Sequence, residues 1–363
     1  MPEEPRLAVR TLLLVALLSL AAIAGAAEPK PLAITALTAP RAIGGQQRFP
    51  VLAETTPAAR AINRYLQSSV LRAVAGKDAA SAFAALPEDL RGVDGRVTAQ
   101  TPRLLSIRVD LYEAARIRQP RSLGFSFDLA SGRPLTQGDV FSPEGYGRLR
   151  QRIATERVRR VQALQKFAAG RPQDEDLAEA SALYADCLDT LRGDTLTDDA
   201  LFISGARLAL EQGDCASVDY LEFDVLRPLR VEIPLAALRD DFNDYGRCLL
   251  LGEGETPCPA AAKEGPQPGT YAGTIGTRGV EVVFERRYDG DRISGAFVMN
   301  GGYHRIEGRA QRDGKAKLYE TGASADDLIC EFTLFTKADG TIEGTWRSLA
   351  ESQLLPLSLK PLR

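Results

Sequence analysis

Histidine is almost missing from this chain: 363 residues contain one, His304. A Ser-His-Asp triad would have to be assembled around that imidazole, and an H-E-x-x-H metal site, which needs two, is excluded. There is no G-x-S-x-G elbow and no GxGxxG or GxxxxGK[ST] phosphate loop. Cysteine is scarce as well, five in all with no C-x-x-C, which argues against a redox motif or a thiolate zinc site. Positive charge is not in excess, since 45 basic and 48 acidic side chains leave a formal net charge of -3. Nucleic-acid binding normally shows as a basic excess, so no nucleic-acid partner is expected. The reading is of a non-enzyme with no catalytic residue, no cofactor and no metal. Carboxylate-only chemistry survives these exclusions, because two acids suffice for glycoside hydrolysis.

What is present begins with a leader. Arg6 and Arg10 precede the apolar run Leu12 to Ala24, and Ala24-Gly25-Ala26 supplies small residues for cleavage before Ala27. The run is shorter than the ~20 residues of a membrane span, so residues 1–26 read as a signal peptide. No later segment has the length and apolarity of a span, and a soluble periplasmic or secreted protein is expected, with no stable membrane span after cleavage. Export permits disulfides. The preferred pairing is Cys187 with Cys215 and Cys248 with Cys258, among three connectivities, which leaves Cys330 odd. Cys330 shares parity with Phe332 and Leu334 and reads as a buried, inert thiol.

A hydrophobic content of 44% and a charged content of 26% are globular values. The length suits two domains. Gly, Pro and Ala crowd residues 251–268 into a linker between a larger domain at 30–250 and a smaller one at 269–363. In the smaller domain Asp289-Gly290, Asp313-Gly314 and Asp339-Gly340 mark tight hairpins. With Gly-containing breaks between them, they predict eight short strands in an up-and-down antiparallel barrel, similar in architecture to small lipocalin-like barrels. Tyr271-x-Gly273-x-Ile275, Ile293-x-Gly295-x-Phe297 and Ile342-x-Gly344-x-Trp346 each mark an inner face.

The larger domain mixes periods. Ile62, Leu66 and Val70 recur at helical spacing, while 104–114 and 123–130 alternate as strands do. Ser142-Pro143-Glu144 reads as N-cap, first-turn proline and acidic first turn of a helix running toward Ala169. The arginines at 148, 150, 152, 157, 159 and 160 make that helix basic and read as a solvated face, and the acidic stretch 174–199 reads likewise. Strands are expected again at 200–210 and 217–226, and a strand passing into a short helix at 229–242. The fold class is therefore α+β: an antiparallel sheet with helices, then a small all-β eight-stranded barrel-like domain.

Within 125–141, FSFDLASGRPLTQGDVF, the residues Asp128, Gly132, Leu135, Asp139 and Phe141 form an Asp-x-x-x-Gly-x-x-Leu-x-x-x-Asp-x-Phe run. Together with Phe49-Pro50-Val51-Leu52, Ile62-Asn63, the 104–109 segment LLSIRV and the 231–238 segment VEIPLAAL, this run resembles the extracytoplasmic domain of the lysozyme-sensing anti-sigma factor RsiV. It also resembles the non-catalytic N-terminal part of PdaC-type peptidoglycan deacetylases. The likeness covers residues 31–244. It implies a cell-envelope partner, either a protein such as lysozyme or a cell-wall glycan. Read from the residues alone, both aspartates stand where turns need side-chain acceptors, which makes them structural.

Overall fold

The computed structural model describes residues 32–362, apart from 42–44, 54–55, 74–77, 115–119, 176, 179–180, 183–187, 189–190, 193–199, 212–228, 255–256, 260–264, 287–291, 301, 312 and 322–327. The leader, Cys187, Cys215, Asp289-Gly290 and the strand expected at 217–226 lie outside the described residues.

Five strands form the first sheet: β1 (Ile34–Pro40), β2 (Gln46–Leu52), β3 (Leu90–Gln100), β4 (Leu104–Glu113) and β5 (Arg121–Asp128), in that spatial order. All neighbours are antiparallel except β2 and β3, which meet in parallel at a single bridge, Arg48 to Asp94. The sheet is thus mixed, and the reason is local. In the β1–β2 register Ala53 donates to Ala33 and Arg41 to Gly45, so alternate residues of β2 turn their backbone toward β3. Pro50 is one of these and has no N–H to offer. Arg48 pins the junction instead, its Nε lying 2.9 Å from Asp94 Oδ1.

Helix α1 (Pro57–Val70) begins at Thr56, whose side chain accepts from the Ala59 amide, with Pro57 in the first turn. Its buried Ile62, Leu66 and Val70 pack with Phe49, Val109 and Phe127 of the sheet and with Phe83 of the short helix α2 (Ala79–Ala84). Asn63 locks α1 to β2: it donates to the Leu52 carbonyl and accepts from the Leu52 amide, both at 2.8 Å. Beyond the short α3 (Gln137–Val140), the long α4 (Pro143–Ala169) is capped by Ser142, which accepts from Gly145. A second sheet of β6 (Ala200–Ser204), β7 (Arg207–Glu211) and β8 (Val231–Pro234) leads into a 3-10 turn, Leu235–Asp241, and α5 (Asp244–Leu251). Leu149, Ile153, Leu210, Ile233, Leu238 and Phe242 form the second core.

The remainder is a closed antiparallel barrel. Its strands are β9 (Gly269–Ile275), β10 (Arg278–Arg286), β11 (Arg292–Met299), β12 (Gly302–Ala310), β13 (Lys315–Thr321), β14 (Leu328–Thr336), β15 (Ile342–Ser348) and β16 (Leu354–Pro361), and β16 pairs back onto β9. Phe284, Phe297, Phe332, Ile306, Leu318, Leu334 and Leu359 fill its interior, each almost wholly buried. The inward glycines allow the tight curvature: a Cβ at Gly273 would lie 1.8 Å from the Ser358 carbonyl oxygen, and one at Gly308 1.9 Å from that of Lys317.

Leu32–Arg363 folds as one compact unit. Val283 and Ala296, on the outside of the barrel, belong to the same core as α1 and the first sheet. At this junction Glu281 accepts from Arg64 Nε at 2.8 Å and from Ser68 Oγ at 2.9 Å, and its side chain is 4% exposed.

Candidate functional site

Among the described residues several places bring polar or reactive side chains together, and four of them are candidate sites. The first holds the two aspartates of the 125–141 run. Asp128 accepts from the Ala130 amide and the Ser131 hydroxyl, both at 2.9 Å, and from the Tyr245 hydroxyl at 3.1 Å. Gly132, at φ +73°, sits so close to α1 that a Cβ would meet the Ala58 carbonyl oxygen at 2.5 Å. Asp139 closes a capping box, accepting from the Thr136 amide and hydroxyl at 2.6 Å, and pairs with Arg133 at 3.4 Å. Burial opposes the Arg133 charge, but Asp139, Tyr245 and Asp128 outweigh it and its pKa is raised. Burial first, then Asp128, pushes the Tyr245 phenol up to about 12. Leu135 joins the second core and Phe141 packs at a tilt against Phe242 with centroids 4.9 Å apart. Asp128 and Asp139 thus serve as turn and cap acceptors, tying the strand end to α5.

The second cluster is a buried acid pair. One guanidinium nitrogen of Arg108 lies 3.0 Å from Asp110 and 2.8 Å from Glu211, on β4 and β7. Ser122 donates to Asp110 at 2.7 Å. Burial is the main force raising the Glu211 pKa, opposed by Arg108 and Arg230, and its Oε2 has no hydrogen-bond partner. The alternation of 104–114 placed Asp110 on a strand, but Glu211 lies about a hundred residues on, and only the fold brings them together.

The third is the basic helix. The expectation of a solvated arginine face does not hold throughout: Arg157 is fully buried and donates to the Leu229 carbonyl at 3.2 Å, while Arg148 reaches Asp241 at 2.6 Å and Arg160 the Arg230 carbonyl at 2.5 Å. These arginines clamp α4 to the 229–241 segment. A groove of about 630 Å³ follows the same helix past Arg150, Thr155, Arg159 and Arg192. Within it Arg159 is held by Glu156, whose carboxyl is lowered to about 2 by hydrogen bonds from Arg159 and Arg160.

The fourth is one end of the barrel. His304, Glu320, Cys330 and Trp346 all turn inward there. Glu320 Oε1 lies 2.7 Å from His304 Nδ1, and Glu320 Oε2 accepts from the Cys330 thiol at 3.2 Å. The imidazole stacks on Phe297 at 4.7 Å. Burial, then Glu320, raises the Cys330 thiol to about 12, with the Trp346 side chain acting the other way. Such a thiol is not a nucleophile at neutral pH. The carboxylate stands between thiol and imidazole, so the imidazole cannot take the thiol proton directly as a cysteine–histidine pair requires. Around this cluster, among the described residues, four aliphatic side chains are exposed at or beside the strand ends. Leu328, Ile329, Leu349 and Leu354 are 44%, 46%, 38% and 55% exposed. Leu349 donates to the Ile329 carbonyl at 3.0 Å, and Leu354 pairs with Arg347 of the neighbouring strand.

No protein-family model matches the chain, and no curated protein is significantly similar to it. Among the described residues no group of three or more His, Cys, Asp and Glu side chains is placed to hold a metal ion, and no helix is long and apolar enough to cross a membrane. Cys248 and Cys258 form a disulfide with Cα atoms 5.6 Å apart, fastening the end of α5 to the segment that leads to the barrel. Arg103 reinforces this point by donating to the Cys248 carbonyl at 2.8 Å. The exposed aliphatic rim is the feature that sequence reasoning missed. Its signal was a run of apolar residues flanking the strand ends, Leu328-Ile329 and Leu349, where a soluble hairpin ordinarily carries polar residues.

Proposed function

We propose that the chain is a non-enzymatic binding protein of the cell envelope, periplasmic or secreted, that engages a protein partner through the open end of its barrel. The observation that carries this reading is the exposure of four aliphatic side chains, Leu328, Ile329, Leu349 and Leu354, at one end of a barrel whose interior is already filled. Apolar side chains clustered at a surface favour a protein interface over a glycan, which is gripped by polar groups and aromatic faces. The filled interior argues against a small-ligand carrier. Export is supported by the leader composition and by the Cys248–Cys258 disulfide, a bond favoured where the surroundings are oxidising. The likeness of the 125–141 run to lysozyme-sensing domains nominates lysozyme as the first partner to try.

The test is a pull-down of the oxidised chain from Ala27 against lysozyme and against purified peptidoglycan. Saturable lysozyme binding is expected. Retention on peptidoglycan alone would replace the protein partner with a glycan. Release of soluble peptidoglycan fragments would overturn the non-enzyme reading. That last outcome has its own structural motive, since Asp110 and Glu211 are a buried acid pair with one carboxyl raised. Glu211→Gln would then abolish the release.

A further inference from the structure

The Cys248–Cys258 disulfide has two unequal ends. Cys248 lies in the last turn of α5 and is 3% exposed. Cys258 is only half-buried and stands outside any helix or strand, between Pro257 and Pro259, both exposed. One guanidinium nitrogen reaches both sulfurs, Arg103 Nη1 lying 3.2 Å from Cys248 Sγ and 3.8 Å from Cys258 Sγ. The same nitrogen donates to the Cys248 carbonyl at 2.8 Å. Arg103 itself is held in the turn between β3 and β4. There the Thr101 hydroxyl accepts from the Arg103 amide at 3.2 Å and from the Leu104 amide at 3.0 Å, and the Arg103 carbonyl accepts from Leu129 at 2.9 Å.

Thiol–disulfide exchange begins with a thiolate attacking one sulfur while the other departs, and it is faster the better the departing thiolate is stabilised. Here the reachable sulfur is Cys258 and the departing one is Cys248. Burial and the carbonyl end of α5 both oppose a negative charge on Cys248. Arg103 acts against both, since it occupies the Cys248 carbonyl and sets a full positive charge in contact with the sulfur. A disulfide sulfur is only a weak acceptor, so the cation matters far more to the thiolate than to the intact bond.

We propose that Cys248–Cys258 is a thiol–disulfide exchange site that takes a dithiol reductant. The reductant's first thiolate bonds to Cys258 Sγ, the Cys258–Cys248 bond breaks, and its electron pair leaves on Cys248 Sγ as a thiolate beside Arg103. The second thiolate then attacks the reductant's own sulfur in the mixed disulfide and releases Cys258, which takes a proton from water. The reductant is oxidised by two electrons to its disulfide, and both protein cysteines are left reduced. The segment that leads to the barrel is then no longer fastened to α5. This inference is independent of the partner proposed for the barrel rim.

The experiment uses the oxidised chain from Ala27 under native conditions. Reduced glutathione is added as a monothiol probe, freed thiols are trapped with iodoacetamide, and the Cys248 and Cys258 peptides are read by mass spectrometry. Glutathione is expected on Cys258 and the alkyl group on Cys248. The reduction of this disulfide by dithiothreitol is then timed for the wild type, Arg103→Met and Arg103→Lys. Arg103→Met should slow it at least tenfold, whereas Arg103→Lys, which keeps the charge, should stay within about threefold of wild type. A purely structural Arg103 gives the opposite sign, because losing its hold on α5 would loosen the site and speed reduction. Glutathione on Cys248, equal or faster reduction of Arg103→Met, or wild-type reduction no faster than global unfolding would each overturn the proposal. The position of glutathione is read on the wild type, so it decides the matter should Arg103→Met fail to fold.

Discussion

Replacing Glu281 with alanine tests how firmly the barrel is built into the rest of the protein. The carboxylate is 4% exposed and accepts from Arg64 at 2.8 Å and from Ser68 at 2.9 Å. Without it the Arg64 guanidinium, 15% exposed, stays buried with its charge unmatched, and removing one partner of a buried pair costs ~3–5 kcal/mol. Replacing both partners with apolar residues, Arg64→Met with Glu281→Met, should return to within ~1–2 kcal/mol of wild type, because the paired charges carry their own desolvation cost. The assay is urea unfolding followed by far-ultraviolet circular dichroism and by the fluorescence of Trp346, the chain's single tryptophan, which reports on the barrel. Both probes should shift together, since Val283 and Ala296 share a core with α1. A loss below ~1 kcal/mol, the value of an exposed pair, would refute the reasoning. A tryptophan transition that keeps its midpoint while the other signal moves would do the same.

Gly308→Ala should destabilise the barrel by ~3 kcal/mol or more, because the added methyl would meet a backbone carbonyl that only strand separation can move; thermal unfolding checks this. Tyr245 and Tyr303 are both raised to about 12 by burial above all, so the unfolded state loses these protons first and stability should fall as pH climbs from 10 to 12. Tyr303→Phe should flatten part of that alkaline limb, and an unchanged limb would count against the buried phenol. Cys330, raised to about 12, should resist alkylation in the folded protein at pH 9 and react only on unfolding, as mass spectrometry would show. Opening the Cys248–Cys258 disulfide, which closes a loop across a sequence separation of 10, should cost ~2–3 kcal/mol in denaturant.

Much of this architecture is legible in the sequence, for identifiable reasons. The barrel announces itself because each Asp-Gly hairpin needs a left-handed glycine, and Gly314 and Gly340 do adopt φ of +77° and +84°. Helix α1 is visible because Ile62, Leu66 and Val70 face one core. Strand β3 is hidden, since register shifts at Leu90/Gly92 and Val97/Ala99 break the period of two on which a sequence reading depends. β1 is hidden too: as an edge strand its burial does not alternate. The clusters divide in the same way. The turn and cap roles of Asp128 and Asp139 are local and can be read from their neighbours. The Arg108–Asp110–Glu211 network and the His304–Glu320–Cys330 cluster join residues on different strands, so parity shows only that His304 and Cys330 point inward.

The central claim is that the aliphatic end of the barrel is a protein-binding surface, and its most direct measurement is a binding isotherm of the oxidised chain from Ala27 on immobilised lysozyme, beside that of Leu328→Asp with Leu354→Asp. Both leucines are about half exposed, so the substitutions should leave the unfolding midpoint unchanged while placing charge in the interface core. The account predicts saturable binding by the wild type and at least a tenfold weaker isotherm for the variant. Equal affinity of the two proteins, or no saturable binding by the wild type, would contradict it.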